Sequence, residues 1–291
     1  MLFAGFYSTL RYRMKLTILG SGTSHGVPVI GCTCPVCSSP DSKDKRMRCS
    51  LYIEGSAGER AVIDTGPEFR LQALQAGISA LDAVFLTHAH ADHVHGLDDI
   101  RPLSREKSIP VYGNNGTIVE FRERFSYIFR ETQQGGGKPH IELVVITKPV
   151  QLGELCFFPI PLKHGDLDVL GWKITEKVKN PIPGKSGKTV SAAYLTDCTY
   201  ISDDSFAMII EGGPPDLAII DGLRSRPHKT HFTFEQAIHA AIRIGVKQLY
   251  LTHICHDYSN KEIEDYCRSY TGKLGFDVPM GPAWDGLVVE L

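Results

Sequence analysis

The sequence predicts an α/β protein, an αββα sandwich with helices on the outside and two β-sheets stacked inside. Three observations predict it. Short apolar runs that close on polar loops recur through both halves of the chain, at residues 15–19, 61–63, 81–86, 144–146, 155–160, 169–174, 217–222 and 249–252. Helical patterns interleave with them at residues 68–76, at 118–130 and from Phe234 onward. No stretch is rich enough in proline, glycine or serine to mark a domain boundary, so residues 14–291 read as one domain behind an extension of residues 1–13.

Composition sets the outer bounds. At 291 residues, 42% hydrophobic and 22% charged, the chain can bury a sizeable core. Its 31 Lys and Arg against 33 Asp and Glu leave a formal net charge of -2, so no global field draws it to nucleic acid or to an anionic membrane. A nucleic-acid partner is therefore not expected, and an anionic substrate must be gripped locally. Eight cysteines are too few for a disulfide scaffold at this length, and three of them cluster at metal-ligand spacing, which points to a reducing cytoplasm. No apolar run approaches the roughly 20 residues that span a bilayer, so no membrane partner is expected. Residues 1–7 are apolar but lack a basic start and a small-x-small cleavage site, which argues against a signal peptide. Three readings of residues 1–13 stay open: an added strand, a disordered lead, or an upstream start codon, with Met14 opening a clearer strand.

Taken in order, residues 15–19 form the first strand, and Gly20-Ser21-Gly22-Thr23-Ser24-His25-Gly26 a glycine-rich turn. That turn lacks the Gly-Lys-Ser/Thr ending of a phosphate loop. His25 either approaches a metal centre or makes a backbone hydrogen bond. Next comes Cys32-Thr33-Cys34-Pro35-Val36-Cys37. Three thiolates at this spacing converge on one tetrahedral zinc that still needs a fourth ligand, and His256 is the candidate. With every position filled by protein, the zinc would be structural. A small surface cysteine cluster is the alternative. A strand over 61–63 closes on Asp64, and Glu68 to Ala76 reads as a helix.

The stretch that organises the chain follows the apolar run 81–86: Thr87-His88-Ala89-His90-Ala91-Asp92-His93. Four ligand-type side chains behind a buried strand are costly to bury without a cation. His88 and His90 can share one face while Asp92 and His93 point elsewhere, which suits two neighbouring ions better than one. After the motif a helix starts near Gly96, with His95 a neighbour of the site. Apolar residues at Ile118, Phe121, Phe125, Ile128 and Phe129 have helical spacing; core packing is the reading preferred, with a lid or a homodimer contact as alternatives. Gly135-Gly136-Gly137 would end that helix as a flexible joint, and residues 181–188 read as a rim loop. Further on, Thr233-Phe234-Glu235-Gln236 matches a capping box, so a helix begins near Phe234 with His231 just before its N-terminus, where free N–H groups suit an anion. His228 competes with His231 for that role. Arg46, Arg48, Arg224 and Arg226 are possible phosphate contacts.

The His-x-His-x-Asp-His motif behind an apolar strand resembles the signature of the metallo-β-lactamase superfamily. The resemblance implies the metallo-β-lactamase fold and three more ligands, matched here by His164, Asp197 and His253, each at the end of a short apolar run. It also implies that Asp64 orders the ligand loop without binding metal. The C-x-C-x2-C loop together with His253-Ile254-Cys255-His256 is similar to the PhnP-type branch, phosphodiesterases acting on phosphoribosyl cyclic phosphate, and the similarity runs from about Met14 to the C-terminus. In those enzymes a histidine at the position of His231 assists the leaving oxygen.

The expected mechanism follows from the ligand count. His88, His90 and His164 would hold one divalent ion, Asp92, His93 and His253 a second, and Asp197 would bridge them, with manganese or zinc as the metal. Two such ions about 3.5 to 4 Å apart lower the pKa of a bridging water, which makes hydroxide the nucleophile on a small, cyclic phosphodiester. Asp92 and His231 are the residues expected in catalysis, His231 serving the departing alkoxide. Alternatives are a tRNA 3′-end processing nuclease, which would need a basic arm this sequence lacks, thioester or lactam hydrolysis, in branches that do not carry the cysteine knuckle, and a non-catalytic PqqB-like carrier, against which the complete motif argues.

Overall fold

The computed structural model describes residues 14–131, 137–178, 188–274 and 277–291. The extension 1–13, the Gly135-Gly136 part of the glycine joint and residues 181–187 of the rim loop lie outside the described residues.

Two seven-stranded sheets face each other. The first has the strands β1 (Lys15–Gly20), β2 (Ser50–Glu54), β3 (Arg60–Ile63), β4 (Ala83–Phe85), β5 (Ile109–Gly113) and β6 (Ile141–Val145) in chain order, with β14 (Val288–Glu290) paired outside β1. The second has β7 (Val150–Leu152), β8 (Leu155–His164), β9 (Leu167–Val178), β10 (Lys188–Leu195), β11 (Leu217–Asp221), β12 (Leu249–Thr252) and β13 (Met280–Pro282), again in chain order. Within these sheets β3, β4 and β5 run parallel, as do β10, β11 and β12.

Side-chain alternation explains the layering. Successive strand residues face opposite sides of a sheet, and here both sides are covered. Ala61, Ile63, Ala83 and Phe85 point to the other sheet, where they meet Phe157, Trp172, Tyr194 and Ile219. Phe85 is the centre of that seam, stacked on Phe157 at 3.9 Å between ring centroids and edge-on to Trp172 at 4.9 Å. The intervening Val62 and Val84 point outward, under α1 (Phe69–Gln75) and the helices that follow the central motif. On the far side Ala218 and Ile220 lie under α5 (Asp203–Ile210), α6 (Phe234–Ile244) and α7 (Asn260–Leu274). The result is four layers, helices outside two sheets. No helix among the described residues is long and apolar enough to cross a membrane.

Two elements differ from expectation. The helix expected over 118–130 is two helices, α3 (Asn115–Arg124) and α4 (Ser126–Phe129), separated at Phe125 with φ -101° and ψ 31°. The break turns Phe125 and Ile128 into the core beside Phe121. The helix expected from Gly96 is a 3-10 helix over Leu97–Ser104 with Pro102 inside it, and a proline without an N–H disfavours an α-helical ladder there.

Candidate metal centre

Strand ends bring the expected side chains to one rim. β4 passes through Leu86 and Thr87 into His88, His90, Asp92 and His93, the last two on the short α2 (Ala91–Val94). β8 ends on His164, β10 is followed by Asp197, β11 ends on Asp221 and β12 is followed by His253. Carboxyl ends of such strands are where α/β sheets gather ligands. Among the described residues only Asp64, Asp197 and His253 combine a side chain with left-handed backbone, at φ 61°, 52° and 59°. That conformation disfavours L residues by about 1 kcal/mol or more each, and all three instances fall in this site.

Asp64 orders the inner layer. Its carboxylate accepts from the Thr87 N–H at 2.8 Å, from the Thr87 hydroxyl at 2.8 Å and from His93 Nδ1 at 2.7 Å. The Thr87 oxygen is then left to accept from His88 Nδ1 at 3.0 Å, while His164 Nδ1 donates to the Thr230 carbonyl at 2.8 Å. In each ring the scaffold takes the Nδ1 proton, so Nε2 offers a lone pair.

Those lone pairs converge. The ligand-capable atoms of His88, His90 and His164 lie within 4.8 Å of one another, as do those of Asp92, His93 and His253. Asp197 stands between the two sets, with Oδ2 3.1 Å from His93 Nε2 and Oδ1 3.3 Å from His253 Nε2 and 3.9 Å from His164 Nε2. Nε2 of His88 and His93 and both ring nitrogens of His253 are buried without a hydrogen-bond partner. Lone pairs facing carboxylate oxygens repel unless positive charge sits between them, and imidazoles with carboxylates are the donor set of zinc and manganese sites. The residues fit a pair of divalent ions.

The electrostatics carry the same demand. Burial disfavours charge on His93, yet Asp197, Asp92 and Asp64 hold its pKa well above the ordinary histidine value; burial is likewise overcome at His253, raised to about 9 chiefly by Asp197. Burial and then His93 push His88 well below the ordinary value, and burial lowers His164. Asp92 and Asp197 stay below the usual carboxylate range against burial, through His93 and His253.

His231 joins the same rim. Its Nδ1 donates to Asp221 Oδ2 at 2.9 Å, and its ring stacks on His253 at 4.5 Å and lies 4.7 Å from His164. His228 sits outside it, exposed, with ring centroids 5.1 Å apart. At the helix N-terminus most first-turn N–H groups are taken within the chain, which leaves little there for an anion. The capping box is made, and the N–H groups of Thr233, Phe234 and Gln236 go to Gln236 Oε1, the Arg224 carbonyl and Thr233 Oγ1. Asp221 is the site residue the sequence reading passed over, although it closes an apolar strand as Asp64 does.

The cysteine cluster lies on the other side of the His253 loop. Sγ of Cys32, Cys34 and Cys37 stand 3.4, 3.5 and 3.4 Å from His256 Nδ1. A tetrahedral zinc with Zn–S about 2.3 Å and Zn–N about 2.0 Å sets sulfur and nitrogen about 3.5 Å apart. All eight cysteines are free of disulfides. The Cys37 backbone N–H draws the Cys34 thiol down to about 6, and burial lifts Cys37 to about 11. His25 is exposed beside both clusters, its pKa lowered by burial and then by His256 and His253.

The four arginines are otherwise engaged. Arg46 is fully buried, donating to the carbonyls of Cys255 at 2.8 Å and Tyr258 at 3.1 Å and pairing with Asp44, which rules it out as a phosphate contact. Arg48 pairs with Glu68 and donates to the Ser24 carbonyl. Arg226 pairs with Asp257 at 2.8 Å, and Arg224 donates at 3.4 Å to the carbonyls of Arg226 and Pro227.

Residues 59–254 match the beta-lactamase superfamily domain. A Porphyromonas gingivalis protein named octanoyltransferase is 40% identical over 246 residues, which are 84% of this chain; the chain spans 46% of that relative. A ribonuclease Z of Pyrobaculum calidifontis is 38% identical over 276 residues, covering 85% of this chain and 89% of its own. The crystal structure of a diphosphatase from the PhnP family is similar at a TM-score of 0.79 and 36% identity, over 96% of this chain and 98% of that one.

Proposed function

We propose a function from one premise: this chain belongs to the beta-lactamase superfamily. It acts as a metal-dependent hydrolase on a small, cyclic phosphodiester. The observation that carries this reading is the Asp197 carboxylate standing between two histidine sets in which Nε2 of the buried His88, His93 and His253 has no hydrogen-bond partner. Similarity to the PhnP-family diphosphatase supports phosphorus as the atom attacked.

His88, His90 and His164 would hold one divalent ion, Asp92, His93 and His253 the other, and Asp197 would serve both. Bound there, zinc or manganese supplies Lewis acidity to a phosphoryl oxygen and brings the pKa of water toward neutrality. The chain's own residues do the rest. Asp64, through Thr87 and His93, and the Thr230 carbonyl, through His164, fix the rings so that no reorganisation is needed during reaction. Asp221 holds the His231 ring by its Nδ1–H, which leaves Nε2 for the leaving oxygen. As the bond from phosphorus to the leaving oxygen breaks, His231 delivers its Nε2 proton to the alkoxide. Cys32, Cys34, Cys37 and His256 would hold a structural zinc outside the chemistry.

Octanoyl transfer is not carried over from a relative of which this chain spans less than half. The ribonuclease Z relative supports a second reading, a tRNA-processing nuclease, against which the net charge of -2 argues. The test is side-by-side assay of manganese-loaded and zinc-loaded protein on bis-p-nitrophenyl phosphate, cyclic ribose phosphates and pre-tRNA. Turnover of the first two is expected. Cleavage of pre-tRNA alone would replace the reading by the nuclease, and no turnover of any phosphodiester with two metals bound would end it.

A further inference from the structure

A cavity of about 460 Å³ opens beside the His88 and His90 end of the centre. One wall is the start of α3, with Asn115 and Glu120; the other is the turn from β8 into β9, with Asp166 and Asp168. Asn114 ties the walls together, accepting from the Thr117 N–H at 2.8 Å and donating to the Asp168 carbonyl at 3.1 Å. At the inner end lies His88, 1% exposed, whose Nε2 has no hydrogen-bond partner. A ligand held at the metal centre can therefore extend into this space, which is of a size that encloses small molecules.

Its lining has one chemical bias. Three carboxylates and two amides line it beyond the His88 and His90 end, and neither lysine nor arginine does. Lys163 and Arg124 pair with Asp168 and Glu120 at 2.6 and 3.2 Å from outside the lining, which reduces the negative charge without putting a cation inside. A second phosphate or carboxylate on the ligand would meet like charge there. Hydroxyl and amino groups would find acceptors.

We infer that this cavity takes the part of the substrate that extends from the scissile phosphate, and that this part is an uncharged polyol or nucleoside without a second anionic group. The inference rests on the phosphodiesterase reading and narrows it: the phosphoribosyl substrates implied by the sequence resemblance carry a further phosphate, and these walls disfavour one. Asp166 and Glu120 are the specificity-determining side chains.

The experiment measures kcat/KM of the manganese-loaded full chain for glycerol 1,2-cyclic phosphate, adenosine 2′,3′-cyclic phosphate and the same nucleotide bearing a 5′-phosphate, with bis-p-nitrophenyl phosphate alongside. The 5′-phosphorylated nucleotide is expected at least tenfold below its unphosphorylated partner, and the ranking of glycerol against adenosine tells whether a polyol or a nucleoside fills the cavity. Asp166→Lys and Glu120→Lys, both exposed and on different walls, should each narrow that ratio at least threefold, with thermal melting checking the fold. Asp204→Lys, the same charge change on α5, should leave the ratio where it is. A 5′-phosphorylated nucleotide turned over as well as its partner overturns the assignment, as does an Asp204→Lys effect as large as the cavity variants'. Inactivity toward all of these phosphodiesters would sink the phosphodiesterase reading itself; an active enzyme indifferent to the 5′-phosphate sinks only the cavity assignment.

Discussion

Asp221 and Asp197 look alike in the sequence, each an aspartate closing an apolar strand, and the structure gives them different work. Asp197 faces histidines of both sets, Oδ2 toward His93 and Oδ1 toward His253 and His164, whereas Asp221 faces His231 and the Cys198 N–H, at 2.9 and 2.8 Å. Asp221→Asn keeps the shape and weakens the acceptor that orients the His231 ring, so kcat should fall on the order of 10 to 100-fold. Melting should stay near the parent; an undiminished kcat would mean that Asp221 only packs. His164→Ala and Asp197→Ala should abolish turnover with circular dichroism intact, since each removes a side chain that points into the rim without holding the core together. Activity retained in both would sink the dinuclear reading. At this scale the ligand types were legible, because spacing as tight as His-x-His-x-Asp-His has few other uses. The dyad was not legible, because ten residues separate Asp221 from His231 and only the fold closes that gap.

Among the elements, the loop from His253 to His256 does the most. It holds a residue of each cluster three positions apart, and its backbone is clamped: Ile254 exchanges hydrogen bonds with Ser21 and Thr23 at 2.9 and 3.2 Å, and Arg46 holds the Cys255 carbonyl. Cys34→Ala should therefore lower the melting temperature and remove one zinc per chain while catalytic residues stay in place. Unchanged melting with undiminished zinc content would show that no structural zinc is held. The α6 cap offers a smaller check. Thr233→Ala should cost about 1 kcal/mol in urea unfolding, since Gln236 N–H loses its acceptor; a change near zero would show that the cap adds little to packing of the helix. That cap could be read in the sequence because it is a local pattern. The break at Phe125 could not, because helical spacing of apolar residues is the same whether they bury along one helix or two, and the shape of the surface beneath decides.

For the whole molecule, the two halves are tied through a side chain near the C-terminus. Asp285 is buried and accepts from Ser21 N and Oγ at 2.9 and 2.8 Å and from Met47 N at 2.7 Å, linking the last strand region to the loop that carries the glycine turn. Burial raises its pKa to about 6. A carboxyl whose folded value lies above its unfolded value near 3.9 contributes stability that is full below about pH 4 and is lost as pH rises through 6. Relative to Asp285→Asn, the parent should thus become progressively less stable between about pH 4 and 6.5 in urea unfolding; a difference that stays flat would show that Asp285 does not titrate in that window. The sequence alone determined the α/β class, the two-sheet layering and the types of side chain on offer, because alternation, helical spacing and clustered ligands are local and leave a local signature. Only the tertiary structure decided which of them meet: it buried Arg46 away from the phosphate role, gave His231 its aspartate and formed the acidic cavity beside His88. Those pairings join residues tens to hundreds of positions apart, and a distance across a folded sheet edge is fixed by strand register and packing, which no short stretch of chain carries by itself.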